Sequence, residues 1–221
     1  MVIDEDAIEW VLCDLGKVLV NFDHVHVAHN LETFLEKNPG RLRPGQQVPE
    51  LPLLAGYFFA EPYRDATRNV LMDRGALDLV DIARDLDVRY GVNISADELR
   101  PVWSDIFTTV NHHVVEAMKR ARERGKFVAI CSSTNQPHWE HILETYPEIA
   151  DRWWDRAFLS FELGHSKNDE GFFHAIIEAT GCAPRSHYFI DDMQKNVDAA
   201  LAAGMQAEVF TGELPELGMF A

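Results

Sequence analysis

The sequence predicts an α/β protein: a Rossmann-like parallel sheet interrupted by an all-helical insert. Two observations carry that prediction. Short apolar, β-favouring runs ending on polar residues recur at 9–14, 127–131, 157–161, 187–190 and 207–210, with helical patterns between them from residue 111 onwards. Such alternation builds a doubly wound parallel sheet, whose strands are buried on both faces and read as near-continuous apolar runs. The block from 22 to 110, by contrast, reads almost wholly as helix and loop. The expected organisation is a core made of residues 1–21 and 111–221, with a helical insert at 22–110.

Each element has its own signal. The first strand is Trp10-Val11-Leu12-Cys13-Asp14, followed by Leu15-Gly16 and a second apolar run, Val18-Leu19-Val20. After Asn21-Phe22-Asp23, a helix is expected over 24–37, and the Pro/Gly-rich stretch at 38–52 reads as a connector. Helical periodicity then covers 53–72, 76–89 and 96–109. Arg74-Gly75 separates the first two, and Ser95 followed by Asp97 and Glu98 supplies the N-terminal signal of the third. In the second half, helices are expected at 111–124, 137–145, 169–180 and 196–203, with Gly125, Gly181 and Gly204 as stops.

Composition narrows the function. The chain has 221 residues, 47% of them hydrophobic, enough for one domain with an insert to bury a sizeable core. No apolar run approaches the roughly 18 residues that span a bilayer, and the acidic opening Met-Val-Ile-Asp-Glu-Asp is unlike a secretory signal. Three widely spaced cysteines, Cys13, Cys131 and Cys182, suggest neither a disulfide framework nor a CxxC site, so a reducing cytoplasm is expected. A formal charge of −16 argues against nucleic-acid or anionic-membrane partners. An anionic substrate would need a local cation, which directs attention to a metal site and a placed lysine.

Four strand ends present polar groups: Asp14, Ser132, Lys167 just beyond the third strand, and the pair Asp191-Asp192. In a parallel sheet these share one edge. Two sources of carboxylate, a lysine and a hydroxyl can hold a phosphate and a divalent cation.

In this order the groups resemble the four motifs of the haloacid dehalogenase (HAD) superfamily, over nearly the whole chain, and the helical insert resembles that family's C1 cap. More narrowly, DLGKVLVNFD, SSTN, YPEI at 146–149, LSFELGHSK and FIDDMQKNVDAALAAGM resemble the bacterial glucose-1-phosphatase branch. The resemblance implies a Mg²⁺-dependent phosphatase acting on a small phosphorylated metabolite such as glucose 1-phosphate, cytoplasmic, as a monomer or small homo-oligomer. It implies Asp14 as nucleophile, and Mg²⁺ held by Asp14, the Gly16 carbonyl and Asp192, with Asp191 acting through water. Ser132 and the Ser133 amide would bind phosphoryl oxygens, Lys167 would neutralise them and tie down Asp14, and Asn196 would brace the acidic pair.

Two positions depart from the pattern. Most phosphatases of the superfamily carry an aspartate two residues after the nucleophile as acid and base, where this chain has Gly16; the glucose-1-phosphatase branch has Gly there too. Losing that proton transfer costs on the order of 10²–10⁴ in rate, least for leaving groups such as an anomeric hydroxyl. Asn168 stands where the branch usually has Pro. Two other readings follow: a catalytically weak phosphometabolite-binding or regulatory protein, and a metal-independent 2-haloacid dehalogenase, against which Asp191-Asp192 argues. His24, His26 and His29 match no common zinc spacing and are candidates for pocket lining. Asp23 is a candidate substitute for the missing acid beside an ordinary turn role. Cys13 and Cys131 are expected to pack in their strands, and Arg64, Arg68 and Arg74 to lie on a solvated helix face, with contact to a substrate anion as the alternative.

Overall fold

The computed structural model describes residues 3–63 and 65–221. Strand β1 (Trp10–Asp14) is wholly buried, and β2 (Val20–Phe22) follows after a tight loop. Next come α1 (Val25–Lys37), α2 (Leu51–Phe59), a small hairpin of β3 (Pro62–Tyr63) and β4 (Ala66–Thr67), α3 (Arg68–Asp73), α4 (Leu79–Tyr90), α5 (Ala96–Ser104) and β5 (Phe107–Val110). The second half runs α6 (His112–Glu123), β6 (Phe127–Ser132), α7 (Gln136–Thr145), α8 (Pro147–Ala150), β7 (Arg156–Leu159) and α9 (Ser160–Leu163). It ends with α10 (Glu170–Thr180), β8 (His187–Asp191), α11 (Gln194–Ala202) and β9 (Gln206–Val209).

The five core strands form one parallel sheet in the order β7-β6-β1-β8-β9. The chain leaves β1 outward through β6 and β7, then returns to build β8 and β9 on the other side, so the strand order reverses around β1. Open α/β sheets bind ligands in the crevice at such a reversal, outside the carboxyl ends of the strands. Alternate β1 side chains face two separate cores. Val11 and Cys13 pack with Val114, Met118 and Ala121 of α6, and Trp10 and Leu12 pack with Phe172, Phe173 and Val197 of α10 and α11. Residues between β2 and β5 bury an apolar cluster of their own, including Leu31, Leu54, Phe58, Leu86 and Trp103. The antiparallel pair β2–β5 joins that unit to the sheet's edge.

Three expectations need correction. The periodicity over 53–72 is not one helix, because Pro62 withholds a backbone donor and biases Glu61 towards extended backbone, so the chain forms the β3–β4 hairpin before α3. The run 96–109 is helical only to Ser104; Phe107-Thr108-Thr109-Val110, rich in β-branched side chains, pairs with β2 instead. Arg68 lies not on a solvated face but 1% exposed, bonded to Asp85 at 2.8 Å and the Tyr57 carbonyl at 3.0 Å, and stacked on the Tyr57 and Tyr63 rings. Arg64 lies outside the described residues. Among those described, no helix is long and apolar enough to cross a membrane.

Local capping fixes the helices of the insert. Asp78 and Ser95 open α4 and α5 with reciprocal capping boxes, the second at the position expected from sequence. Gly75 ends the α3 turn at φ +67°, where a Cβ would stand 2.7 Å from the Phe161 carbonyl oxygen, so this close approach of α3 to α9 requires glycine.

Candidate active site

The carboxyl ends of β1, β6 and β8 bring together the groups expected there. Asp14 ends β1, 4% exposed, and Leu15 donates its backbone N–H to Asp14 Oδ1 at 2.7 Å. Lys167, on the segment between α9 and α10, places Nζ 2.5 Å from Asp14 Oδ1 and 2.6 Å from Asp191 Oδ2. The other Asp191 oxygen accepts from the Met193 amide at 2.8 Å and from Asn196 Nδ2 at 2.9 Å, so Asn196 holds the acidic pair from the first turn of α11. The Lys167 amide donates to Ser133 Oγ at 3.1 Å, which ties the β6 loop to the lysine's own backbone.

The electrostatics follow from three carboxylates around one ammonium. Burial is the largest influence on Asp14 and pushes its carboxyl up to about 8; Lys167 opposes the rise, and the Asp191 and Asp192 charges add to it. Asp192 is also raised, by desolvation first and by Asp191 second. Burial alone would lower the Lys167 ammonium, but the two carboxylates outweigh it and hold the lysine charged well above its ordinary range. With Asp14, Asp191 and Asp192 ionised, the site carries a net −2 that a divalent cation would neutralise. One oxygen from each carboxylate falls within 4.8 Å of the others, the only metal-capable cluster of its kind among the described residues. His24, His26 and His29 form no such cluster. The donor set is all oxygen, which suits Mg²⁺.

A cavity of about 560 Å³ opens above these groups, walled on the core side by Asp14, Ser132, Ser133, Lys167 and Asp192. Phe22, His24, Val70, Asp73 and Phe107 also line it. That volume suits a small metabolite. Cys13 and Cys131 flank the site from inside their strands, where burial raises both thiols. Asp23 borders the cavity, with Oδ1 accepting the Val25 amide at the start of α1.

Gly16 is explained by its neighbour. A Cβ there would stand 2.5 Å from Phe22 Cε1, so the ring fills the space an aspartate would need. Gly16→Asp should therefore destabilise the fold by about 1–3 kcal/mol through overpacking. In urea titrations, combining it with Phe22→Ala should be non-additive, the double variant losing less than the two single losses together.

Sequence reasoning missed a buried network that joins the helical insert to the residues around the parallel sheet. Asn135 Nδ2 donates to Asp73 Oδ1 at 2.8 Å and lies 3.0 Å from His138 Nδ1, while Trp103 Nε1 donates to Asn135 Oδ1 at 3.1 Å. His138 Nε2 lies 3.0 Å from the Trp103 carbonyl. The Asp73 carboxyl is raised to about 7 by burial, against the Asn135 and Asn69 amides that favour its charge. Arg74, next in sequence, reaches Ser166 and Asp169 on either side of Lys167, at 3.4 and 3.5 Å. The one readable signal was an acid immediately before Arg74-Gly75.

His138 uses one ring nitrogen as donor to Trp103 and the other as acceptor from Asn135, which only the neutral Nε2–H tautomer satisfies. Burial accordingly lowers its pKa to about 3. A depressed folded-state value means this stability is complete above pH ~6.5 and is lost as pH falls towards 3, by up to about 1.4 kcal/mol per pH unit. Imidazole ¹⁵N spectra should show His138 still neutral at pH 5.

Comparison with known proteins places this arrangement. A sequence model described as haloacid dehalogenase-like hydrolase matches residues 8–204. The chain superposes on a HAD family enzyme from Bacteroides thetaiotaomicron, solved with magnesium and inorganic phosphate, at a TM-score of 0.71 and 20% identity, covering 95% of this chain and 98% of that one. A predicted phosphoglycolate phosphatase from Haemophilus somnus matches at a TM-score of 0.52 and 14% identity, with 91% and 84% covered. An L-2-haloacid dehalogenase matches at 0.56 and 15%, with 90% and 83% covered. At these identities the likenesses speak for the fold.

Proposed function

Because the chain belongs to the haloacid dehalogenase-like hydrolase family, we propose that it is a Mg²⁺-dependent phosphatase of small phosphorylated metabolites, working through an aspartyl-phosphate on Asp14. A sugar phosphate such as glucose 1-phosphate is the first candidate substrate. The observation that carries this reading is the buried Lys167 bridging Asp14 and Asp191, with Asp192 beside them beneath the cavity. A dehalogenase working without metal has no use for the acidic pair. The magnesium and phosphate bound by the Bacteroides enzyme of similar fold add support.

In this reading Asp14 attacks phosphorus, the bond from phosphorus to the leaving oxygen breaks, and that oxygen takes the electron pair. Water then attacks the phosphorus of the acyl phosphate and frees both phosphate and the Asp14 carboxylate. Lys167 orients Asp14 and balances charge on the transferring group, and Ser132 with the Ser133 amide binds phosphoryl oxygens. Asp14, the Gly16 carbonyl and Asp192 would hold Mg²⁺, with Asp191 acting through water. The ion would supply further charge neutralisation on the phosphoryl oxygens. Residues 22–110 act as the cap over the leaving group, and the protein works in the cytoplasm as a monomer or small homo-oligomer.

Gly16 favours a second reading, a phosphometabolite-binding protein with little turnover. Phosphate release from a panel of phosphosugars, with and without Mg²⁺ and with Asp14→Asn as control, decides between them. The phosphatase reading expects Mg²⁺-dependent release that the variant loses. Equal inactivity of wild type and variant, with phosphosugar binding retained, overturns it.

A further inference from the structure

The space where a proton-transfer residue would follow the nucleophile is taken by the Phe22 ring, 2.5 Å from a Cβ built on Gly16. The ring of His24 packs edge-on against that same Phe22, with centroids 4.6 Å apart, and lies 5.4 Å from Phe59. His24 lines the same cavity as Asp14, Ser132 and Lys167, and its side chain remains accessible. His26 and His29, on the helix α1 that His24 precedes, do not line that cavity. The one ring of Phe22 thus both closes the usual position and holds an imidazole against the cavity.

Resting on the phosphatase reading, we propose that His24 supplies the proton transfer that Gly16 cannot, as general base for the water that hydrolyses phosphorylated Asp14. As the water oxygen bonds to phosphorus, its proton passes to the imidazole. The bond from phosphorus to Asp14 breaks, and its electron pair returns to the carboxylate. The imidazolium then releases the proton to solvent before the next cycle. The charged and titratable groups bearing on His24 are Lys17, which follows Gly16, then Asp23 and His138. Partial desolvation against its neighbours first and Lys17 second lower its pKa, Asp23 opposing them, and the net shift favours the neutral ring that a base requires.

The test is a pre-steady-state measurement with p-nitrophenyl phosphate and Mg²⁺ on wild type and His24→Gln. Its leaving group needs no proton, so phosphorylation of Asp14 should proceed at the wild-type rate in the variant. Steady-state turnover should fall about 10²-fold or more, leaving a p-nitrophenol burst of one equivalent per enzyme. Added imidazole should recover part of the loss, and the acidic limb of the kcat profile should disappear. Unchanged turnover in His24→Gln overturns the proposal. So does a parallel fall in burst and steady-state rates without imidazole rescue, which marks a structural role. A wild type that releases no phosphate from any ester overturns the phosphatase reading itself, and this inference with it.

Discussion

Lys167→Met is expected to be the most damaging single change in the protein. The ammonium is 4% exposed and lies within 2.6 Å of two carboxylates that pair with no other cation among the described residues. Removing one partner of a buried ionic cluster leaves uncompensated charge and costs about 3–5 kcal/mol. In the variant, Asp14 and Asp191 must recover neutrality by taking up protons. The deficit should therefore be largest near pH 8 and shrink as pH falls through the carboxyl range, because the folded variant binds more protons than its unfolded chain. Mg²⁺ should return part of the lost stability in urea titrations, since a divalent cation replaces the missing charge. It should not return activity, for which a loss of about 10³-fold or more is expected when a charge-stabilising group is removed.

Asp14→Asn is expected to separate activity from stability. Loss of the proposed nucleophile should lower phosphate release by about 10⁴-fold or more, as removal of other covalent nucleophiles does. Stability should move the other way. The Asp14 carboxyl is raised to about 8 in the folded protein, against about 4 in an unfolded chain. A raised carboxyl holds its proton longer when folded, so it subtracts stability progressively as pH climbs from about 4 to about 8. Asparagine carries no such charge, keeps an oxygen for the Leu15 amide, and leaves Lys167 paired with Asp191. Without added metal, the variant should melt no lower than wild type at pH 8, and the difference should vanish near pH 4. A residue kept for structure would show the opposite sign, as strain retained for function does not.

The parts of the molecule legible in the sequence were those fixed by strand ends. A buried strand announces itself by an unbroken apolar run, and the polar residue that stops it must fall at the sheet's edge; Asp14, Ser132 and Asp191 were read that way. Lys167 sits on no strand, yet its place after β7 in chain order was enough to bring it to the same edge. What escaped depended on which way side chains face. The helical period across 53–72 outweighed the single imino acid, Pro62, that breaks it. Arg68 was read as a solvated cation because its partners, Asp85 and the two tyrosine rings, lie on other elements. Asp73, Asn135 and His138 meet only when α3, the β6 loop and α7 are packed together, and no spacing along the chain encodes that meeting. Gly16 was legible as a missing acid, whereas the ring that closes its space, six residues downstream, was not.

The proposed covalent role of Asp14 can be read directly. The enzyme is quenched in acid during turnover of a phosphosugar with Mg²⁺, reduced with borohydride, digested and sequenced by mass spectrometry. An acyl phosphate on Asp14 should appear as homoserine at position 14, in an amount that rises in His24→Gln and is absent in Asp14→Asn. Steady turnover with position 14 unmodified, or with the reduced residue elsewhere in the chain, would contradict the account.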